Sequence, residues 1–136
     1  MAVRQLEHVL VLTHDLAATR DFYRDALGLR EGPRPELGFP GHWLYQGEIA
    51  CLHLAEWDSY TRHAQALGIP VSARSPGTGS LDHLAFQADD YAGFVANLQA
   101  RGISAHRHDT PAIGLRQLFM FDPNGVKLEI NFPAMR

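Results

Sequence analysis

The chain repeats itself, and that constrains its fold more than any other feature. Leu6-Glu7-His8-Val9 returns as Leu81-Asp82-His83-Leu84, 75 residues later, and Asp15-Leu16-Ala17 returns as Asp90-Tyr91-Ala92 at the same spacing. Further on, WLYQGEIACLHL from Trp43 falls against FMFDPNGVKLEI from Phe119, 76 residues away, which matches Leu52 with Leu128 and His53 with Glu129. Two copies of one design are the simplest account. The expected organisation is one domain over residues 1–136, made of modules at about 1–56 and 81–136 joined by a linker at 57–80.

Each module carries the same order of elements. Residues 5–12 and 81–87 are short and rich in Val, Leu and Phe, as strands are. A helical pattern follows each. Tyr91, Phe94, Val95 and Leu98 stand at i, i+3, i+4 and i+7, one apolar stripe, with Gly102 as a left-handed stop. In the first copy Leu16, Phe22, Tyr23 and Leu27 serve, with Asp15 as cap and Gly28 as stop. Strand-like stretches then fall at 29–35, 41–46 and 49–55, and again at 104–109, 115–121 and 126–132. Asp122-Pro123-Asn124-Gly125 reads as the turn between the last two, because Pro presets φ and Asn and Gly tolerate positive φ. The fold class is therefore α+β, built from two βαβββ modules. Trp57 to Leu67 has the pattern of a short helix within the linker, and Ser75-Pro76-Gly77-Thr78-Gly79-Ser80 breaks regular structure after it.

Composition narrows the function by exclusion. With 46% apolar and 20% charged residues the chain belongs to the ordinary globular class. A net charge of −3 gives no basic field for nucleic acid, and no apolar stretch nears the roughly 20 residues of a membrane span. One cysteine, Cys51, rules out an intrachain disulfide and fits a reducing compartment. A cytoplasmic protein with a small-molecule partner, and neither nucleic acid nor membrane, is the expectation.

Strand parity gathers the chemistry. His8 alternates with Val9, His83 with Leu84, and Glu129 lies between Leu128 and Ile130, so the apolar set faces the helices and the three polar side chains face away. Two imidazoles and a carboxylate leave positions free on a divalent metal, with Fe, Mn, Zn, Ni and Co all admissible. Glu129 also enters as a catalytic group through that site, and His53 as the candidate base should a proton be transferred. Trp43, Tyr45, Phe119 and Phe121 read either as pocket wall or as core. Arg116 and Asn131 are the remaining substrate-binding candidates, Arg116 for a carboxylate and Asn131 for an anion or for orienting a ligand.

His on the first strand of each module, FYRDALGL at 22–29 and FDPNGVKLE at 121–129 together resemble the vicinal oxygen chelate superfamily, which includes glyoxalase I, extradiol dioxygenases, fosfomycin-resistance enzymes and bleomycin-binding proteins. The resemblance implies a cupped, barrel-like mixed sheet with helices outside, and places His8, His83 and Glu129 at the usual metal-ligand positions. It implies an enzyme that chelates a small oxygenated metabolite or xenobiotic through two oxygens, a lyase, isomerase or dioxygenase, and a homodimer. The alternative is a non-catalytic binding or resistance protein of the same fold. There are departures. The extra Glu of metal-binding glyoxalase I is matched by His53, either a fourth ligand or a cavity-wall donor to substrate, and Phe119 stands where extradiol dioxygenases carry a Tyr, with His108 out of register for their upstream His. Bleomycin-binding members usually lack the metal triad.

Overall fold

The computed structural model describes residues 1–73 and 75–133. Arg74 of the linker and residues 134–136 of the second module lie outside them. The chain divides into two compact units, Met1–Arg74 and Ser75–Arg136. In the first, β1 (Val9–Thr13) leads through α1 (Leu16–Leu27) to β2 (Arg30–Gly32), β3 (Gly41–Gln46), β4 (Ile49–Glu56) and then α2 (Trp57–Leu67). The second runs β5 (Leu84–Gln87), α3 (Tyr91–Ala100), β6 (His106–Thr110), β7 (Leu115–Phe121) and β8 (Lys127–Phe132). Each unit folds its four strands into a mixed sheet of the same topology, β1-β4-β3-β2 and β5-β8-β7-β6. The fold is α+β, and β1 and β5 each pair parallel to the last strand of their sheet. No helix among the described residues is long and apolar enough to cross a membrane.

Why the strands stop where they do is chemical. Proline at 33 removes a ladder donor, so β2 ends at Gly32 and is shorter than the 29–35 stretch expected. The first strand of each module also starts later than its composition implies, at Val9 and Leu84, because the pairing with β4 and β8 begins only there. His8 and His83 consequently stand one residue ahead of the ladder rather than within it. They keep its alternation.

One face of each sheet is the core. In the first unit Val11 and Leu52, Leu54 and Leu44 are buried beside Tyr23 and Ala26 of α1, each large aliphatic side chain contributing about 1.5–3 kcal/mol. The helix face that is fully buried is Thr19, Tyr23 and Ala26, while Phe22 and Leu27, which the apolar pattern nominates, are half-buried. Thr19 is admitted because its hydroxyl lies 2.9 Å from that of Thr13, which in turn accepts from the Asp15 N–H. In the second unit Leu118, Met120, Leu128, Ile130 and Phe132 are buried, and Tyr91 and Phe94 of α3 meet the Phe132 ring edge-on at 5.1 and 5.3 Å.

Turns and caps hold as their residues dictate. Gly28 and Gly102 take φ of 74° and 69° after α1 and α3. The nearly buried Asp122 accepts from the backbone N–H of Asn124 (2.7 Å) and of Val126 (2.9 Å), closing the turn between β7 and β8. Asp122→Ala removes two charge-assisted bonds and is expected to cost about 1.5–3 kcal/mol in urea unfolding. Asp122→Asn, which keeps an acceptor at the same place, should cost clearly less. Equal losses for the two variants would contradict this role.

Helix α2 is capped by Glu56, whose carboxylate accepts from the Ser59 hydroxyl (2.7 Å), the Ser59 N–H (2.7 Å) and the Asp58 N–H (3.1 Å). Those bonds favour the charged form and bring its pKa down from 4.5 to about 2. Because the folded-state value is depressed, the contribution is present above about pH 4.5 and is lost as pH falls towards about 2. Glu56→Gln is expected to be less stable than the parent at pH 6 and to converge with it by pH 2. A constant gap across that range would refute the linkage.

Candidate metal centre

The face of each sheet turned away from its helix carries the polar side chains, and the two units arrange them differently. In the first unit Trp43 and His53 are direct neighbours across β3 and β4. Their rings stack at 4.2 Å and 10°, and the His8 ring stacks on His53 at 3.8 Å and 11°. His53 lies flat within this group with Nε2 3.1 Å from the Ala50 carbonyl. A carbonyl only accepts, so Nε2 carries the proton and Nδ1 keeps the lone pair of the neutral ring. Burial, and after it the neighbouring His8, pushes the His53 imidazole below its usual pKa, so it is neutral at pH 7. Cys51 shares this face, but burial raises its thiol and holds it protonated.

In the second unit the place of His53 is taken by Glu129, and the place of Trp43 by Phe119, again direct neighbours across the ladder. Glu129 Oε1 lies 3.6 Å from His83 Nε2, with the Glu129 side chain 16% exposed. That separation is too long for a hydrogen bond. It is close to the distance between two ligands that each sit about 2.1 Å from one metal at an angle near 110–120°. An imidazole nitrogen and a carboxylate oxygen are both donors that suit a divalent cation.

The remaining hydrogen bonds leave the right atoms free. His83 Nδ1–H donates to Asp82 Oδ2 (2.7 Å), and His8 Nδ1–H donates to Glu7 Oε1 (2.9 Å), so the acid before each histidine performs the same task in both copies of the repeat. A carboxylate on Nδ1 fixes the tautomer and directs the Nε2 lone pair outward, as the outer partners of metal-bound histidines do. Lys127 Nζ also reaches Asp82 Oδ2, at 2.9 Å, and the bonds from His83 and Lys127 hold the Asp82 carboxyl below the usual range. Within neither unit, among the described residues, do three His, Cys, Asp or Glu side chains gather at one point.

The other sequence candidates divide. Asn131 lies on the Glu129 face and donates to Glu129 Oε2 at 2.9 Å. Tyr45 gives its hydroxyl to the Pro33 carbonyl, and the Arg30 guanidinium covers its ring at 5.0 Å, so that hydroxyl is engaged. Phe119 is half-buried with Lys127 Nζ 5.8 Å over its ring. Phe121 is 62% exposed, and so is not core. Arg116 has the parity of buried Leu118 and Met120, on the helix side of the sheet, where its guanidinium stands 4.8 Å over the Tyr91 ring. Strand parity and spacing do not single out Glu7, Asp82 or Gln117. For the two acids a signal does exist, since each is the residue before a repeated histidine.

Comparison with known proteins places the chain in a family. Residues 5–130 match the Glyoxalase/Bleomycin resistance protein/Dioxygenase superfamily, and the chain belongs to it. It is 30% identical over 132 residues to Glyoxylase I 4 of Arabidopsis thaliana, covering 92% of this chain and 68% of that protein. An uncharacterized protein of Escherichia coli (strain K12), YaeR, is 27% identical over 133 residues, covering 96% of this chain and 97% of its own. The crystal structure of lactoylglutathione lyase from Agrobacterium tumefaciens superposes with a TM-score of 0.71 at 25% identity, over 97% of this chain and 96% of that one.

Proposed function

We propose that the protein is a divalent-metal-dependent enzyme acting on a small oxygenated metabolite, with His8 Nε2, His83 Nε2 and Glu129 Oε1 as the metal's ligands. The observation that carries this is the pattern of hydrogen bonds: each of the three side chains has one polar atom engaged by a neighbour and its other donor atom free. Such a pattern is what a ligand needs before it binds. The similarity to Glyoxylase I 4 and to lactoylglutathione lyase supports an enzymatic role, and three protein ligands would leave positions on the metal for two neighbouring substrate oxygens. When bound, a divalent cation supplies Lewis acidity, polarising a substrate carbonyl and stabilising the negative charge that develops on it. The chain's own residues do the rest. His53, neutral at pH 7 with its Nε2–H on the Ala50 carbonyl, offers Nδ1 as the acceptor of a substrate proton. Trp43 and Phe119 supply flat apolar surface beside His53 and Glu129.

The test is elemental analysis of protein purified without added metal, followed by chelation and titration of the stripped chain with Zn(II), Mn(II), Ni(II), Co(II) and Fe(II). About one metal per chain, with tight rebinding of at least one of these ions, is expected. A chain that binds none of them is not this enzyme, and the non-catalytic binding reading then takes its place.

A further inference from the structure

We infer that Gln117 and Asn131 form a two-amide clamp that holds Glu129 as a one-oxygen ligand; the inference rests on the metal reading above. Gln117 and Asn131 are direct neighbours across β7 and β8, two residues along each strand from the Phe119 and Glu129 pair. Gln117 Nε2 donates to Asn131 Oδ1 at 2.9 Å, and Asn131 Nδ2 donates to Glu129 Oε2 at 2.9 Å. All three side chains are half-buried.

The direction of the chain of bonds matters. An asparagine amide has a donor end and an acceptor end, and an ionised carboxylate only accepts, so Asn131 turns Nδ2 towards Glu129 and Oδ1 towards Gln117. Gln117 anchors that arrangement. By donating to Oδ1 it holds the amide in place, so that Nδ2 stays on Oε2. Glu129 Oε2 is thereby occupied, and Oε1 remains as the oxygen that faces His83 Nε2. The carboxylate is held on one side by the amides and left open on the other. Neither Gln117 nor Asn131 touches the proposed metal, so both are positioning residues.

Co(II) titration of the stripped full-length protein, followed by calorimetry and visible absorption, tests this. Asn131→Leu, close in volume but without the donor, is expected to weaken Co(II) binding about 10–100-fold. It should also dim the d–d bands, because a released Oε2 can join the metal and raise its coordination number. Gln117→Met is expected to shift both readouts the same way by less, and the double variant should be no worse than Asn131→Leu alone, since both act through one bond to Glu129. Should Asn131→Leu fail to fold, Gln117→Met, further from the carboxylate, decides the question by itself. Parent affinity and spectrum in both variants, with Co(II) binding lost in Glu129→Ala, overturns the clamp and leaves the ligand reading standing. If the parent binds no Co(II), or if Glu129→Ala binds it unchanged, the ligand reading falls and the clamp falls with it.

Discussion

Replacing Glu129 with alanine is expected to strip the protein of its metal and leave its fold standing. Glu129 is on the polar face of β8, where its side chain is 16% exposed and meets the Asn131 amide and, at 3.6 Å, His83 Nε2. Its removal takes away the one carboxylate of the proposed ligand set, so affinity should fall by more than about 100-fold, beyond the 10–100-fold typical of an outer partner. The packing beneath it is carried by other side chains. A half-buried carboxylate that lacks a close cation is costly to desolvate, so the stripped variant should melt no lower than the stripped parent. Metal content and thermal midpoint, measured on the same preparations, read the two halves of the expectation. Unchanged metal, or a collapsed circular dichroism spectrum, would sink it.

One residue earlier on the same strand the expectation reverses. Leu128 is fully buried on the helix side, paired with Leu84 of β5 and Met120 of β7. Leu128→Ala deletes buried methylenes and leaves a cavity that close-packed neighbours fill only in part, at a cost of about 2–5 kcal/mol. Against a total stability of about 5–15 kcal/mol for a domain, that is a large share. For a chain of this size it corresponds to a fall of roughly 10 °C in Tm. Where the variant remains folded, its metal affinity should be close to the parent's. A loss below about 1 kcal/mol in urea unfolding would show that the site collapses without a cavity, or that Leu128 does not carry the packing assigned to it.

Adjacent residues with opposite consequences explain what is legible in the sequence. Alternation is a local property of a strand, so the order of residues along the chain is enough to tell on which side Glu129, His83 and Leu128 lie. The repeat is legible for the same reason, since it matches β1 to β5 and β4 to β8 residue by residue. Two things are not. Thr19 escapes the apolar pattern of α1 because its buried hydroxyl meets that of Thr13, six residues earlier, a pairing no helical periodicity displays. Gln117 has no local signature; its meaning comes from Asn131, fourteen residues away across the ladder.

The matched positions His53 and Glu129 carry a consequence for how the two halves tolerate change. One holds a flat ring that is neutral at pH 7 and lies between two others, the other a carboxylate held by a hydrogen bond from the Asn131 side-chain amide. A stacked ring is held by the faces of its neighbours, whereas a half-buried carboxylate is held by donors. Random mutation would therefore meet a different resistance in copies that share one blueprint: position 53 should accept only planar side chains that keep an acceptor nitrogen, position 129 almost nothing. A duplicated fold of this kind sets two unlike demands at one place in its plan, a ring in one copy and a charge in the other.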